Sequence, residues 1–315
     1  MAKILLTGGA GFIGTALIEK LINENEIFVL DNLDRNSLKN KNFEVTLFET
    51  DIINYHEVYK NLVEACPDIV IHLAAIAGVD NVIKRSVSVM DVNMIGTNNL
   101  LKAMVSSNCI KNVKKFINFS TSEVYGSYSY KLCEDEHTTL GSVGEARWMY
   151  AVSKLASEHL CFAYYNQFGL PLVSVRPFNI YGPNQVGEGA IHIFIKKCIK
   201  NEDIEVHDDG SQIRSWCYID DAVDFVLKCI YNENIIGHVL NLGNPEGTIS
   251  IINLARKVIE LTKSKSKVKF IKSPYVDVEL RIPNINKAKQ ILNYKPKVGL
   301  DEGILKTFGW YKEMI

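Results

Sequence analysis

Thr7-Gly8-Gly9-Ala10-Gly11-Phe12-Ile13-Gly14 decides how the rest of this chain is read. The stretch follows a short apolar run, Ile4 to Thr7, and opens an amphipathic one, Phe12 to Asn23. A strand that turns directly into a helix presents the helix's first unpaired N–H groups, and the positive end of its dipole, at the turn. Gly8 permits the tight turn, Gly11 lets a pyrophosphate approach the backbone, and Gly14 lets the helix pack close to the sheet. The spacing is G-x-x-G-x-x-G, with Phe12 and Ile13 placed in the phosphate-facing turn of the helix.

Outward from this turn, apolar runs recur at Ile27 to Asp31, Val45 to Phe48, Ile69 to Leu73, Phe116 to Ser120 and Leu172 to Val175. Helical stretches such as Met94 to Ser107 lie between them. Strands apolar throughout and separated by helices predict a parallel sheet covered on both faces. The expected fold class is therefore α/β, a doubly wound parallel sheet of Rossmann type with a smaller C-terminal substrate domain. Ligands of such a sheet bind beyond the carboxyl ends of its strands. The expected boundaries are 1–177 for the nucleotide-binding domain, with about 216–243 returning to complete its sheet, and 178–215 plus 244–315 for the substrate domain. Helices are expected near Ala190 to Lys200, Asp221 to Tyr231, Ile251 to Thr262 and Asp301 to Tyr311.

Composition excludes several function classes. The 315 residues carry 35 basic and 36 acidic side chains, a net charge of -1, so no bulk field draws nucleic acid or an anionic membrane. No run of about 18 apolar residues is present to cross a bilayer, and the start does not read as a signal peptide. The seven cysteines lack C-x-x-C spacing and the histidines lack ligand spacing, so no metal is expected. Reduced thiols and the missing leader make the cytoplasm the expected address.

Asp31 ends the second predicted strand. A carboxylate there accepts hydrogen bonds from ribose hydroxyls and repels a 2′-phosphate, which favours NAD over NADP. Arg35 nearby is the opposing signal. Asp51, after the third strand, is a candidate partner for the adenine amine.

Tyr150-Ala151-Val152-Ser153-Lys154 places a phenol and an ammonium on one helical face. A neighbouring cation stabilises phenolate and so suits Tyr150 as a general base. Ser120-Thr121-Ser122-Glu123-Val124-Tyr125-Gly126 follows the fifth strand, where ligands bind, and Thr121 is positioned to hydrogen-bond the hydroxyl that Tyr150 deprotonates. The tyrosines of Tyr125-Gly126-Ser127-Tyr128-Ser129-Tyr130 read either as a pocket rim or as a plain loop.

With these residues in place, the sequence resembles the extended short-chain dehydrogenase/reductase family of NAD-dependent nucleotide-sugar epimerases, dehydratases and decarboxylases. The likeness runs through the glycine stretch, His72-Leu73-Ala74-Ala75, Thr121, Tyr150 with Lys154, and Arg176-Pro177-Phe178-Asn179-Ile180-Tyr181-Gly182-Pro183. It continues at Asp209-Gly210-Ser211-Gln212-Ile213-Arg214. The resemblance implies NAD as cofactor, with Ile52, Leu73, Ala74 and Ala75 added to its binding wall. It implies a nucleotide-sugar substrate contacted by Ser122, Asn179, Arg214 and Arg281, and a homodimer formed through exposed helices. It also implies a catalytic set of Tyr150, Lys154, Thr121 and Glu123 acting through a 4-keto sugar.

Glu123 narrows the reaction. Simple 4-epimerases are similar but usually carry a small residue here, whereas dehydratases and UDP-glucuronate decarboxylases carry a carboxylate. Ser122 stands where dTDP-glucose dehydratases have an aspartic acid, and serine is no acid at neutral pH. Arg147-Trp148-Met149-Tyr150 is similar to the UDP-glucuronate decarboxylase domain of the bacterial polymyxin-resistance pathway, and Arg281-Ile282-Pro283-Asn284-Ile285 to the R-x-P-[DS]-I stretch of decarboxylases. Gly187-Glu188-Gly189-Ala190-Ile191-His192 departs from the usual decarboxylase loop. Decarboxylation is the favoured expectation, with 4,6-dehydration and 4-epimerisation as alternatives and a non-catalytic NAD-binding protein more distant.

Overall fold

The computed structural model describes residues 1–39, 41–273 and 277–314. The apolar runs of the first half become β1 (Lys3–Thr7), β2 (Glu26–Asp31), β3 (Thr46–Glu49), β4 (Ile69–His72) and β5 (Lys115–Phe119). A short β6 (Tyr128–Tyr130) precedes β7 (Leu172–Pro177) and β8 (Asn179–Tyr181). The second half adds β9 (Ile204–His207), β10 (Ile213–Tyr218), β11 (His238–Leu242), β12 (Thr248–Ser250), β13 (Val268–Ile271) and β14 (Leu280–Ile282). Between these strands run α1 (Phe12–Leu21), α2 (Tyr55–Ala65), α3 (Val79–Lys84), α4 (Ser86–Met90), α5 (Thr97–Ser106) and α6 (Met149–Phe168). Later come α7 (Ala190–Lys200), α8 (Ile219–Tyr231), α9 (Ile251–Thr262), α10 (Asn286–Leu292) and α11 (Leu300–Met314).

Seven parallel strands form the main sheet in the order β11-β7-β5-β4-β1-β2-β3. Alternate residues of each strand feed opposite faces. Leu5, Phe28, Val70, Phe116 and Leu172 pack beneath α2 and α5, while Ile4, Leu6, Val29, Ile71, Ile117 and Val173 join the core on the other face. Burying both faces is what a continuously apolar strand requires. The strand order reverses between β1 and β4, which opens a crevice at their carboxyl ends.

A smaller sheet runs β12-β10-β14-β6, with β8 also paired to β10. Arg281 on β14 lies opposite Ser129 on β6, so this pairing brings a late residue beside the loop that carries Glu123. Tyr128 to Tyr130 is thus a strand rather than a loop, and both tyrosines point to solvent. The expected returning segment divides in the structure. β10 belongs to the smaller sheet, while α8 packs on α1 and β11 adds the strand beside β7.

The helix expected over Met94 to Ser107 starts earlier. α4 runs through a π-helical stretch, Asp91–Gly96, into α5. Two ties hold this wider turn: Asn93 exchanges hydrogen bonds with the Ile76 backbone, and Ser157 donates to the Asn93 carbonyl. Such widened turns occur where a helix must present groups to a site. Here Asn93 also donates to Ser153 on α6, at 3.0 Å. α6 itself begins at Met149, so Tyr150 sits in its first turn.

Candidate active site

β1 ends at Thr7; the next residue, Gly8, has a φ of +68°, and a Cβ there would lie 2.5 Å from the Ala74 backbone nitrogen. Gly14 meets the opposite constraint, since a Cβ would come within 2.4 Å of the Gly9 carbonyl oxygen. These approaches seat α1 so that its first turn faces a cleft of about 680 Å³. Gly8, Gly11, Phe12, Ile13, Gly14, Asp31, Asp51, Ile52, Leu73, Ala74, Ala75, Tyr150 and Lys154 all line that cleft, so the cofactor set expected from sequence converges on one place. Asp31 accepts from the Ala10 and Leu33 amides at 3.0 and 2.7 Å, which fixes its carboxylate on the wall. Burial pushes its pKa upward, partly offset by those amides. Arg35 lines the cleft too, but donates to the Ala77 carbonyl at 3.1 Å.

The geometry fits a dinucleotide. The helix N-terminus supplies amides and positive dipole for phosphates, and the second lone pairs of Asp31 can accept from a ribose. His72, by contrast, is structural. Its ring bridges Thr7 and Thr97 at 2.7 and 2.8 Å, and burial holds its pKa down to about 3.

Tyr150 and Lys154 close the cleft at the end of β5. Lys154 is almost fully buried, and burial lowers its ammonium to about 8. Burial raises the Tyr150 phenol above its usual range and the Glu123 charge pushes it further, while a hydrogen bond with Thr121 pulls it back. Thr121 is extended and accepts the Glu123 amide at 3.2 Å, which starts the tight turn holding Ser122. The network from Asn93 through Ser153 to the Tyr150 carbonyl fixes the first turn of α6. Sequence reading misses Asn93, because one buried asparagine inside an amphipathic helix gives no distinctive spacing.

Beyond Tyr150 lies a charge cluster. Arg147 holds Glu123 through two hydrogen bonds of 2.6 and 3.0 Å, and Arg281 approaches the same carboxylate at 3.4 Å. Arg281 also donates to the Gly126 carbonyl at 3.1 Å, while its buried Nε lacks a hydrogen-bond partner among the described residues. Arg214 pairs with Asp277 at 3.1 Å. Burial opposes ionisation of Glu123, but the two guanidiniums outweigh it and hold the carboxyl down at about 2. The cluster is not uniformly favourable, because burial and the neighbouring guanidiniums depress Arg281 to about 10. Glu123 weighs more in deciding protonation, since Arg281 remains a cation at neutral pH either way. Asn179 is placed differently: its amide donates to the Ser215 carbonyl at 3.0 Å, which ties β8 to β10. Asp277 joins the site without having been expected there, and Arg147, quoted above only within its decarboxylase-like stretch, joins it as the partner of Glu123.

The chain is 34% identical to the UDP-N-acetyl-alpha-D-glucosaminuronate decarboxylase of Bacillus cytotoxicus, across 99% of this chain and 98% of that one. It is 33% identical to the dTDP-D-glucose 4,6-dehydratase of Dictyostelium discoideum, across 98% and 81%. The UDP-glucuronic acid 4-epimerase of Bacillus cereus, solved with UDP-glucuronic acid and NAD, superposes with a TM-score of 0.88 at 31% identity over 99% of both chains. A model of the NAD dependent epimerase/dehydratase family matches residues 4–243, which carry the glycine turn, the cleft and the Tyr150–Lys154 pair. The chain belongs to the NAD dependent epimerase/dehydratase family, and its cofactor is NAD.

Proposed function

We propose that this enzyme decarboxylates a UDP-linked hexuronate through a 4-keto intermediate. The observation that carries the reading is the meeting of Arg147 and Arg281 at Glu123. They come from the two separate stretches that resemble decarboxylases in sequence, and both pair with the Glu123 carboxylate. A guanidinium with an unpartnered buried Nε suits a substrate that brings its own carboxylate. The decarboxylase relative acts, by its name, on a uronate-type sugar, and the superposing epimerase was solved with one.

NAD, when bound, supplies the acceptor for the sugar's C4 hydride and returns it at the end of the cycle. Gly8, Gly11 to Gly14, Asp31, Asp51, Ile52 and Leu73 to Ala75 would hold it. Tyr150 takes the proton of the 4-hydroxyl, with Thr121 hydrogen-bonded beside it. The Lys154 cation compensates the phenolate that Glu123 opposes. Once C4 is a ketone, the C5 carboxylate belongs to a β-keto acid, and loss of CO2 places electron density on the C4 oxygen. Tyr150 and Thr121 are the donors placed to stabilise that oxygen. Arg281 positions the carboxylate, while Arg214 and Asn179 serve the diphosphate end. Glu123, held ionised at about 2, is a weak base and provides the fixed counter-charge of the arginines. That weakness disfavours dehydration, which needs a base at C5.

A uronate 4-epimerase is the second reading, favoured by the same arginines and by the superposing structure. Incubating the holoenzyme with UDP-glucuronate and with UDP-N-acetylglucosaminuronate, followed by mass spectrometry, separates the possibilities. A product lighter by one CO2 is the expected result. An isomer of equal mass overturns decarboxylation in favour of epimerisation. No change on either uronate, with loss of water from a nucleotide hexose, overturns both.

A further inference from the structure

Two cysteines far from the cleft sit closer together than their sequence positions suggest. Cys66 caps the C-terminus of α2 in a left-handed conformation, φ 40°, and its amide donates to the Leu62 carbonyl at 2.9 Å. Cys109 begins the short turn after α5, and its thiol donates to that same Leu62 carbonyl at 3.5 Å. The Cys66 amide and the Cys109 thiol thus meet on one carbonyl oxygen. Asn112 donates to the Cys66 sulfur at 3.4 Å, which orients it toward the turn. Cys66 is exposed and Cys109 buried, so reagent reaches the first and the fold protects the second. Cys133, also exposed, offers a contrast: it stands among Glu134, Asp135 and Glu136 and contacts the Asn284 amide.

We propose that Cys66 and Cys109 form an oxidisable dithiol, which closes into an intrachain disulfide by exchange with a low-molecular-weight disulfide. The Cys66 thiolate attacks one sulfur of oxidised glutathione, forming a mixed disulfide and releasing one glutathione, which takes up the proton. Cys109 then attacks the Cys66 sulfur and expels the second glutathione, to which its own proton passes. Two cysteine thiols are oxidised and one glutathione disulfide is reduced to two thiols. Burial raises the Cys109 thiol, consistent with its acting second, once the mixed disulfide stands beside it. The bond staples the C-terminus of α2 to the end of α5. Near the cleft α5 is joined to the turn that leads into α2 through Asn99, which donates to the Ile52 and Ile53 carbonyls.

The test uses NAD-loaded Cys133→Ser protein incubated with oxidised glutathione, its unreduced peptides mapped by mass spectrometry. The expected result is one Cys66–Cys109 linked peptide pair with no glutathione retained. Cys109→Ser on that background should keep one glutathione on Cys66. Glutathione persisting on Cys66 while Cys109 is intact, a disulfide between two chains, or both thiols still reduced would each overturn the proposal. The linked form should also melt at a higher temperature, by roughly 2–8 °C. A lower melting temperature would mean that the bond forms only by prising the helices apart, and would overturn the assignment of a native pair.

Discussion

At the scale of single residues, the site works by setting charges against one another. Tyr150 is pushed toward its neutral form by burial and by Glu123, while Thr121 and the Arg147 and Arg281 charges act in the opposite sense. Tyr150→Phe should therefore abolish the base with little change in fold. We expect kcat to fall by about 10²–10⁴-fold with NAD content unchanged, measured by product formation and by absorbance of released cofactor. Glu123 allows a pH prediction with a definite sign. Its folded pKa, about 2, lies below the ordinary 4.5, so its stabilisation is fully present above pH 4.5 and is lost as pH falls toward 2. The gross effect is on the order of 3 kcal/mol, reduced by the cost of burying the arginines. Glu123→Gln should flatten the acid limb of the stability curve between those pH values, as read by urea unfolding. An unchanged acid limb would show that the arginines do not hold the carboxylate ionised. The residues of this cluster are visible in sequence one at a time. Their convergence is not, because nothing in local spacing relates Glu123 to Arg147 or Arg281.

Among the elements, helix α1 has the least freedom. Its seat depends on Gly14 lying against the Gly9 carbonyl, and that carbonyl is backbone that cannot swing away. Gly14→Ala should lift the helix from the sheet, lower Tm by several degrees and weaken NAD binding at least about 10-fold, read by calorimetry and cofactor titration. Gly96→Ala meets the Cγ2 methyl of Ile52, a side-chain atom and not backbone, so the loss should be smaller. Six strands of the main sheet, β1 to β5 and β7, are legible because each reads as an apolar run bounded by turns, and α7 and α9 because their apolar faces repeat at helical spacing. β6, β8, β12 and β14 have three residues each, too few to show any period, and pairing partners distant in the chain create them. The π-helical turn at Asp91–Gly96 is hidden for a related reason. Its cause is the set of bonds from Asn93 to Ile76 and Ser157, which only the folded chain supplies.

For the molecule as a whole, the division of the chain explains how residues far apart in sequence gather beside the cofactor cleft. The chain leaves the main sheet after β7, enters the smaller sheet with β8 and β10, returns with β11 as the strand beside β7, and then completes the smaller sheet with β12 and β14. Arg214 and Arg281 are thereby delivered from the smaller sheet to residues of the β5 and α6 region. A site assembled this way couples ligand binding to the stability of the whole fold, since a ligand that binds only the native state stabilises it by mass action. With NAD saturating, UDP-glucuronate should raise Tm above the value for NAD alone, and UDP should raise it less. Arg281→Met should leave the UDP increment intact while removing most of the extra increment due to the sugar carboxylate. Removing one charge-assisted hydrogen bond corresponds to about 10–100-fold in affinity, enough to resolve by scanning fluorimetry. Equal increments for both ligands in the Arg281→Met protein would place the uronate carboxylate on Arg281. Increments that keep their wild-type difference would place it elsewhere and move attention to Arg147, the other guanidinium on Glu123.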